Sequence, residues 1–212
     1  MSKSFIRVFI ADDHAMIRDG LSRLIETTTD LILAGEADNG QDVIDQARDA
    51  DWDVLVLDLS LPGGGEATLQ SLQVIRPQLP VILFSMHPED QYAIRLLKSG
   101  AAGYLSKGRS SFELLQAIRT VAQGKKYLTP ELAEKLLDGK STEQAAPHEL
   151  LTDREYQVFM LLLDGKQPNE IVAELHVSAS TVSTHINKIK QKLNTPTIVD
   201  IVKYAYRVGI LH

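Results

Sequence analysis

Three acids, a hydroxyl and an amine each stand just past an apolar run: Asp12 and Asp13 after residues 5–11, Asp58 after 54–57, Ser85 after 81–84, and Lys107 shortly after 101–105. If those runs are neighbouring parallel strands, the five groups collect at the carboxyl edge of one sheet, where open α/β sheets bind ligands. The set suits one divalent cation and one phosphoryl group. Asp12 and Asp13 offer the hard oxygens that Mg²⁺ prefers. Asp58 can act as a carboxylate nucleophile, and Ser85 and Lys107 can receive the oxygens of a transferred group. A phosphorylatable aspartate is the chemistry this spacing implies. Taken singly, each residue has a plainer reading: Asp13 serves equally well as the N-cap of a helix, Asp58 as the cap of the turn Leu61-Pro62-Gly63-Gly64-Gly65, and Lys107 as a solvated surface lysine.

The elements that must position these groups follow from periodicity. Strand-length apolar runs near 5–11, 31–37, 53–58, 81–85 and 101–105 alternate with helical patterns near 15–27, 40–50, 66–76, 88–99 and 111–123. Such alternation predicts an α/β domain, a flavodoxin-like doubly wound sheet of five parallel strands. Thr129-Pro130-Glu131 reads as an N-cap with Pro at the first helical position, opening a short helix to about 137. Residues 138–149 mix Gly, Ser, Thr, Gln, Pro and charge, as a linker does. Beyond it, Thr152-Asp153-Arg154-Glu155 matches a capping box, Pro168 opens a second helix, Ser178 caps a third, and Pro196 starts a fourth that runs to about Val208. The expected domains are therefore 1–124, a connecting helix and linker over 125–149, and an all-α four-helix unit over 150–212.

Composition narrows the function classes. There is no cysteine, which excludes disulfides, thiolate metal sites and thiol switching. No run approaches the roughly 20 apolar residues of a membrane span, and the N-terminus is unlike a secretory leader, so a cytoplasmic protein with no membrane partner is expected. Residues 1–148 carry the whole net charge of −6, whereas 149–212 balance seven acids against seven Lys+Arg. Between Glu174 and Asp200 no acid occurs, and Lys188, Lys190 and Lys192 fall in that window, a local basic element inside an acidic protein.

Residues 5–123 resemble the receiver domain of bacterial two-component response regulators. The resemblance rests on Asp12-Asp13, on Asp58 within Val54-Leu55-Val56-Leu57-Asp58-Leu59-Ser60-Leu61-Pro62-Gly63, on Ser85 within Leu83-Phe84-Ser85-Met86-His87, and on Gly100-Ala101-Ala102-Gly103-Tyr104-Leu105-Ser106-Lys107. It implies that Asp58 accepts a phosphoryl group from a sensor histidine kinase. Asp13 chiefly, Asp12 through water, Asp58 itself and the backbone carbonyl of Ser60 would hold Mg²⁺, while Ser85 and Lys107 bind phosphoryl oxygens. Tyr104 takes the family's switch-aromatic position, able to fill space vacated when the Ser85 hydroxyl is drawn to the modified aspartate. Its plainer reading is a half-buried strand aromatic. Ser60 and His87 occupy positions that tune dephosphorylation in the family, with an ordinary loop histidine the favoured reading of His87.

The stretch around 168–193 reads as helix-turn-helix, turning through His176-Val177-Ser178. Ser180, Thr181, Ser183, Thr184 and Asn187 would face bases, Lys188 and Lys192 would reach phosphates, and Asn169 completes the expected DNA-binding set. His185 shares a face with Val182 and Ile189 and reads as packing. Leu151-Thr152-Asp153-Arg154-Glu155, Asn169-Glu170-Ile171-Val172-Ala173-Glu174-Leu175 and Thr181-Val182-Ser183-Thr184-His185-Ile186 resemble the LuxR-type helix-turn-helix, and the whole chain resembles the NarL/FixJ class of response regulators. Ser183 stands where members often carry lysine, which predicts fewer phosphate contacts and a shallower salt dependence. The resemblance further implies a homodimer through Ile198, Ile201, Val202 and Ala205 of the last helix, reading an inverted repeat of double-stranded DNA. Two rival readings differ in class. One is a receiver controlled by partner proteins or expression level instead of phosphate. The other is a haloacid-dehalogenase-type phosphatase, against which stands Ser60 in place of a second acid two residues after the nucleophile.

Overall fold

The computed structural model of the chain describes residues 5–49, 51–86, 91–137, 146–175 and 177–211. They fall into two compact units, Met1–Ser141 and Thr142–His212. In the first, β1 (Ile6–Ala11), β2 (Leu31–Ala37), β3 (Val54–Asp58), β4 (Val81–Ser85) and β5 (Gly103–Ser106) alternate with α1 (Ala15–Glu26), α2 (Gly40–Ala47), α3 (Gly65–Ile75), α4 (Gln91–Lys98) and α5 (Ser111–Ala122). All strand pairs are parallel and the sheet order is β2-β1-β3-β4-β5. This is the expected doubly wound architecture, and its strand order reverses between β1 and β3.

The period of two along each strand builds both cores. In β3, Leu55 and Leu57 join Phe9, Leu83 and Tyr104 on one face, while Val54 and Val56 join Val8, Ile10, Ile82 and Leu105 on the other. All five residues of β3 are buried, so its run of apolar residues carries no polar alternation, as a strand covered by helices on both faces requires. Register then aligns the strand ends: Ala11 lies beside Leu57, Asp58 beside Phe84, and Ser85 beside Ser106.

One strand start and one helix cap differ from expectation for local reasons. Strand β5 begins at Gly103, not 101, because the Ala101 amide is still used by α4, donating to the Leu96 carbonyl at 3.2 Å after Gly100 turns the chain at φ +110°. Helix α1 is capped by His14, whose side chain makes no capping bond, so Asp13 is not the N-cap. Asp12 Oδ1 accepts from the His14 amide at 2.9 Å instead. Residue 50 and residues 88–90, expected at the ends of the second and fourth helices, lie outside the described residues.

Helix α6 (Pro130–Leu137) follows, as predicted. Of the expected linker, 138–145 lie outside the described residues, and Pro147–Leu150 form a 3₁₀ turn. The second unit contains α7 (Asp153–Leu163), α8 (Pro168–Leu175), α9 (Ala179–Leu193) and α10 (Ile198–Arg207) around one core that includes Phe159, Ile171, Val182, Ile186 and Ile201. Thr152 and Glu155 form the expected capping box, and Ser178 caps α9. The last helix starts at Ile198: the Thr197 side chain accepts from the Asp200 amide, so the cap is Thr197 and Pro196 precedes it.

Candidate functional site

The carboxyl ends of β1 and β3 meet where the strand order reverses, the position at which doubly wound sheets place ligands. Asp12 and Asp58 are each about 1% exposed there. Between them stands Lys107, its ammonium 2.7 Å from Asp12 Oδ2 and 3.0 Å from Asp58 Oδ2, with only 7% of its side chain exposed. The turn carrying it is short: the Lys107 amide donates to the Ser85 carbonyl at 2.6 Å. The solvated-surface reading of Lys107 is therefore replaced by a buried bridge. Asp58 also caps its own turn, accepting from the Ser60 amide at 3.1 Å through Oδ1. Gly64 begins the turn into α3 at φ +88°, and a Cβ on Gly65 would lie 2.6 Å from the Asp58 carbonyl and 2.5 Å from the Leu59 Cα. Glycine there lets α3 start directly against the Asp58 loop.

Electrostatics follow from burial. Desolvation pushes the Asp58 carboxyl up to about 6, with Asp12 adding to the rise and Lys107 opposing it. Burial also disfavours charge on Lys107, but Asp58 and Asp12 outweigh it and hold the ammonium above its ordinary range.

The donor set fits a divalent cation. Asp12 Oδ2, Asp13 Oδ1 and Asp58 Oδ2 are buried oxygens whose partners among the described residues are the Lys107 ammonium and, for Asp13, His14 Nδ1 at 2.7 Å. Ligand atoms of Asp12, Asp13, His14 and Asp58 all lie within 4.8 Å of one another. Hard carboxylate oxygens gathered this closely, balanced by a single ammonium, are what Mg²⁺ needs. Ser85 and Tyr104 are both 0% exposed, so the Tyr104 ring is fully interior and not half-buried. Ser60 is half-buried, and His87 lies outside the described residues. Two residues at the site had not been singled out: His14, legible as a metal-type side chain directly following the acid pair, and Arg18, whose Nη1 donates to the Asp12 carbonyl at 2.6 Å.

The second unit exposes the polar start of α9. Ser180, Ser183, Thr184, Asn187 and Lys188 are exposed and Thr181 is half-buried, while Val182, Ile186, Ile189 and Leu193 pack inward. Asn169 is exposed on α8, and His176 of the turn lies outside the described residues. The hydroxyl of Ser178 is 2.7 Å from that of Ser180 and 2.8 Å from that of Thr181. His185 is half-buried, and burial lowers its imidazole below the ordinary range, as a packing role requires.

Two sequence assignments change here. Lys192, expected to reach phosphate, is committed within the unit: its ammonium lies 2.6 Å from Glu155 Oε2 and donates to the Leu150 carbonyl at 3.0 Å. On α10, Ile201 and Ala205 are 0% exposed in the unit's own core and Ile198 packs against it, because a ten-residue helix must first cover its own bundle. Val202 is half-buried, and the exposed apolar side chains of this helix are Val199 (63%) and Tyr206 (58%).

Comparison with known proteins agrees with both halves. Residues 8–119 match the family model of the response regulator receiver domain, and residues 149–205 match that of bacterial regulatory proteins of the luxR family. The chain is 33% identical over 209 residues to the response regulator GacA of Pseudomonas viridiflava, covering 97% of this chain and 98% of that one. It is 31% identical over 210 residues to the response regulator UvrY of Escherichia coli K12, covering 97% and 95%. Among solved structures, RcsB from Salmonella enterica serovar Typhimurium, bound to a promoter in the presence of the phosphomimetic BeF₃⁻, superposes with a TM-score of 0.61 at 24% identity, covering 94% of this chain and 97% of that one. At that identity the likeness concerns the fold.

Proposed function

This chain belongs to the two-component response regulators that carry a LuxR-type DNA-binding domain, and on that premise we propose that it is a cytoplasmic transcription factor set by Mg²⁺-dependent phosphorylation of Asp58. The phosphoryl donor is the phosphohistidine of a sensor kinase. An Asp58 oxygen attacks the phosphorus in line, the phosphorus–nitrogen bond breaks, and the imidazole leaves with the bonding pair and is reprotonated. Asp13, Asp58, the Ser60 carbonyl and, through water, Asp12 would hold Mg²⁺, which would supply positive charge to offset that of the phosphoryl oxygens. Lys107 leaves its bridge to Asp12 and Asp58 for a phosphoryl oxygen, and the Ser85 hydroxyl donates to another. Activated chains pair on an inverted repeat, with Ser180, Thr181, Ser183, Thr184 and Asn187 toward bases, and Asn169 and Lys188 toward the backbone. The domains that do this are a receiver over 1–124 and a DNA-binding domain over 150–212, joined by 125–149.

The observation that carries this reading is the buried Lys107 bridge between Asp12 and Asp58, 2.7 and 3.0 Å away, at a cluster of acid oxygens that Asp13 completes. The test captures genomic DNA fragments at fixed salt with the purified chain, with and without Mg²⁺ and beryllium fluoride. Inverted repeats are expected only with the mimic, and Asp58→Asn should abolish labelling by a small phosphodonor with the fold intact. Labelling that persists in Asp58→Asn would remove Asp58 from its role. One observation favours a second reading, a receiver governed without phosphate: Tyr104 is already fully buried. Equal enrichment of DNA with and without the mimic is its signature.

A further inference from the structure

The acid pair sits on a turn, and a turn that must present several like charges to one cation needs something to hold it. Besides its contact with Lys107, Asp12 is tied at three points. Its amide donates to the Ala37 carbonyl of β2 at 3.1 Å, its Oδ1 accepts from the His14 amide at 2.9 Å, and its carbonyl accepts from Arg18 Nη1 at 2.6 Å. The third tie comes from α1, one helical turn beyond His14, whose carbonyl accepts from the Arg18 amide at 3.2 Å. The other edge of the same guanidinium is anchored: Nε lies 3.4 Å from Glu36 Oε2, and Glu36 Oε1 accepts from the Ser22 hydroxyl at 2.8 Å. Arg18 is only 18% exposed. A planar fork in ionic contact with Glu36 along one edge turns another edge to a hydrogen bond, whose acceptor is the carbonyl joining Asp12 to Asp13.

From this geometry we infer that Arg18 is a positioning residue for the Mg²⁺ site, locking the Asp12–Asp13 peptide so that both carboxylates converge before the cation arrives. The inference rests on the reading of the crevice given above. Its physics makes the sign of the effect decisive. As a bare positive charge beside a dication, Arg18 would oppose Mg²⁺ binding, and its removal would tighten it. As a brace, its removal lets the turn spread under repulsion between its acids, and binding weakens.

The experiment is calorimetric titration of Mg²⁺ into the full-length chain and its Arg18→Ala and Arg18→Lys variants, with far-ultraviolet circular dichroism as the check on folding and ¹⁹F NMR of bound beryllium fluoride as the check on Asp58. Arg18→Ala is expected to weaken Mg²⁺ roughly five- to tenfold, an estimate for the loss of one charge-assisted hydrogen bond. Arg18→Lys keeps the charge without the fork and is expected to weaken it nearly as much. Unchanged or tighter binding in Arg18→Ala, or full retention in a folded Arg18→Lys, overturns the brace while leaving the phosphoryl reading intact. Failure of the parent chain to bind Mg²⁺ or beryllium fluoride removes both together.

Discussion

Asp58 is held in the fold at a cost, and the cost has a pH signature. Its carboxyl titrates near 3.8 when solvated and is pushed up to about 6 in the crevice. Between those values the folded chain binds more protons than the unfolded one, so stability falls as pH rises through that window and stays lower above it. The shift corresponds to about 3 kcal/mol at neutral pH. Asp58→Asn removes the cost, while Lys107 keeps Asp12 as its partner at 2.7 Å. Calorimetric melts in chelator at pH 7.5 should therefore show Asp58→Asn several degrees more stable than the parent, with the gap closing toward pH 4. Mg²⁺ should stabilise the parent more than the variant. A variant less stable at pH 7.5 would mean that the lost Lys107 contact outweighs the relieved burial. At this scale much was legible in the sequence, because parallel register brings strand ends together and with them Asp12, Asp58, Ser85 and Lys107. Arg18 was not, since its partner is a backbone carbonyl and no spacing of residue types announces such a bond.

Among elements, the joint between α7 and α9 shows where residue type misleads. Lys192 follows two other lysines at alternate positions and reads as a phosphate contact, yet it lies 2.6 Å from Glu155, itself 3% exposed. Burial alone would raise the Glu155 carboxyl, but Lys192 and the Thr152 amide outweigh it and hold the carboxyl below the usual range. A depressed carboxyl contributes stability that is present above its unfolded value of 4.5 and lost as pH falls through the folded one. Lys192→Ala leaves a buried carboxylate short of a partner and should cost about 1–2 kcal/mol in neutral chemical denaturation, between exposed and fully buried pairs. In fluorescence anisotropy on operator DNA, the slope of log affinity against log salt should change little in Lys192→Ala and drop by about one in Lys188→Ala. Equal slope changes would return Lys192 to the DNA. The sequence likewise could not reveal the 3₁₀ turn over Pro147–Leu150, too short for any period. It did reveal the Thr152 and Ser178 caps, whose chemistry is wholly local.

For the molecule as a whole, charge and exposed apolar surface set the requirements for DNA binding. Residues 149–212 have no net charge to draw them to DNA, and with Lys192 and Lys166 engaged by Glu155 and Glu174, one recognition helix gathers few phosphates. On the proposed reading, specific affinity comes from two copies acting on two half-sites, which multiplies weak contacts through effective concentration. The apolar period of the last helix was plain in the sequence. The face left over was not, because only the packed bundle shows that Ile201 and Ala205 are consumed inside while Val199 and Tyr206, seven residues apart on α10, stay exposed. Val199→Glu places a charge on that face without touching the core. With beryllium fluoride and Mg²⁺ present, the variant should bind an isolated half-site like the parent, yet bind the inverted repeat at least roughly tenfold more weakly in gel shift, with cooperativity lost. Undiminished cooperativity in Val199→Glu would place the pairing surface on another element.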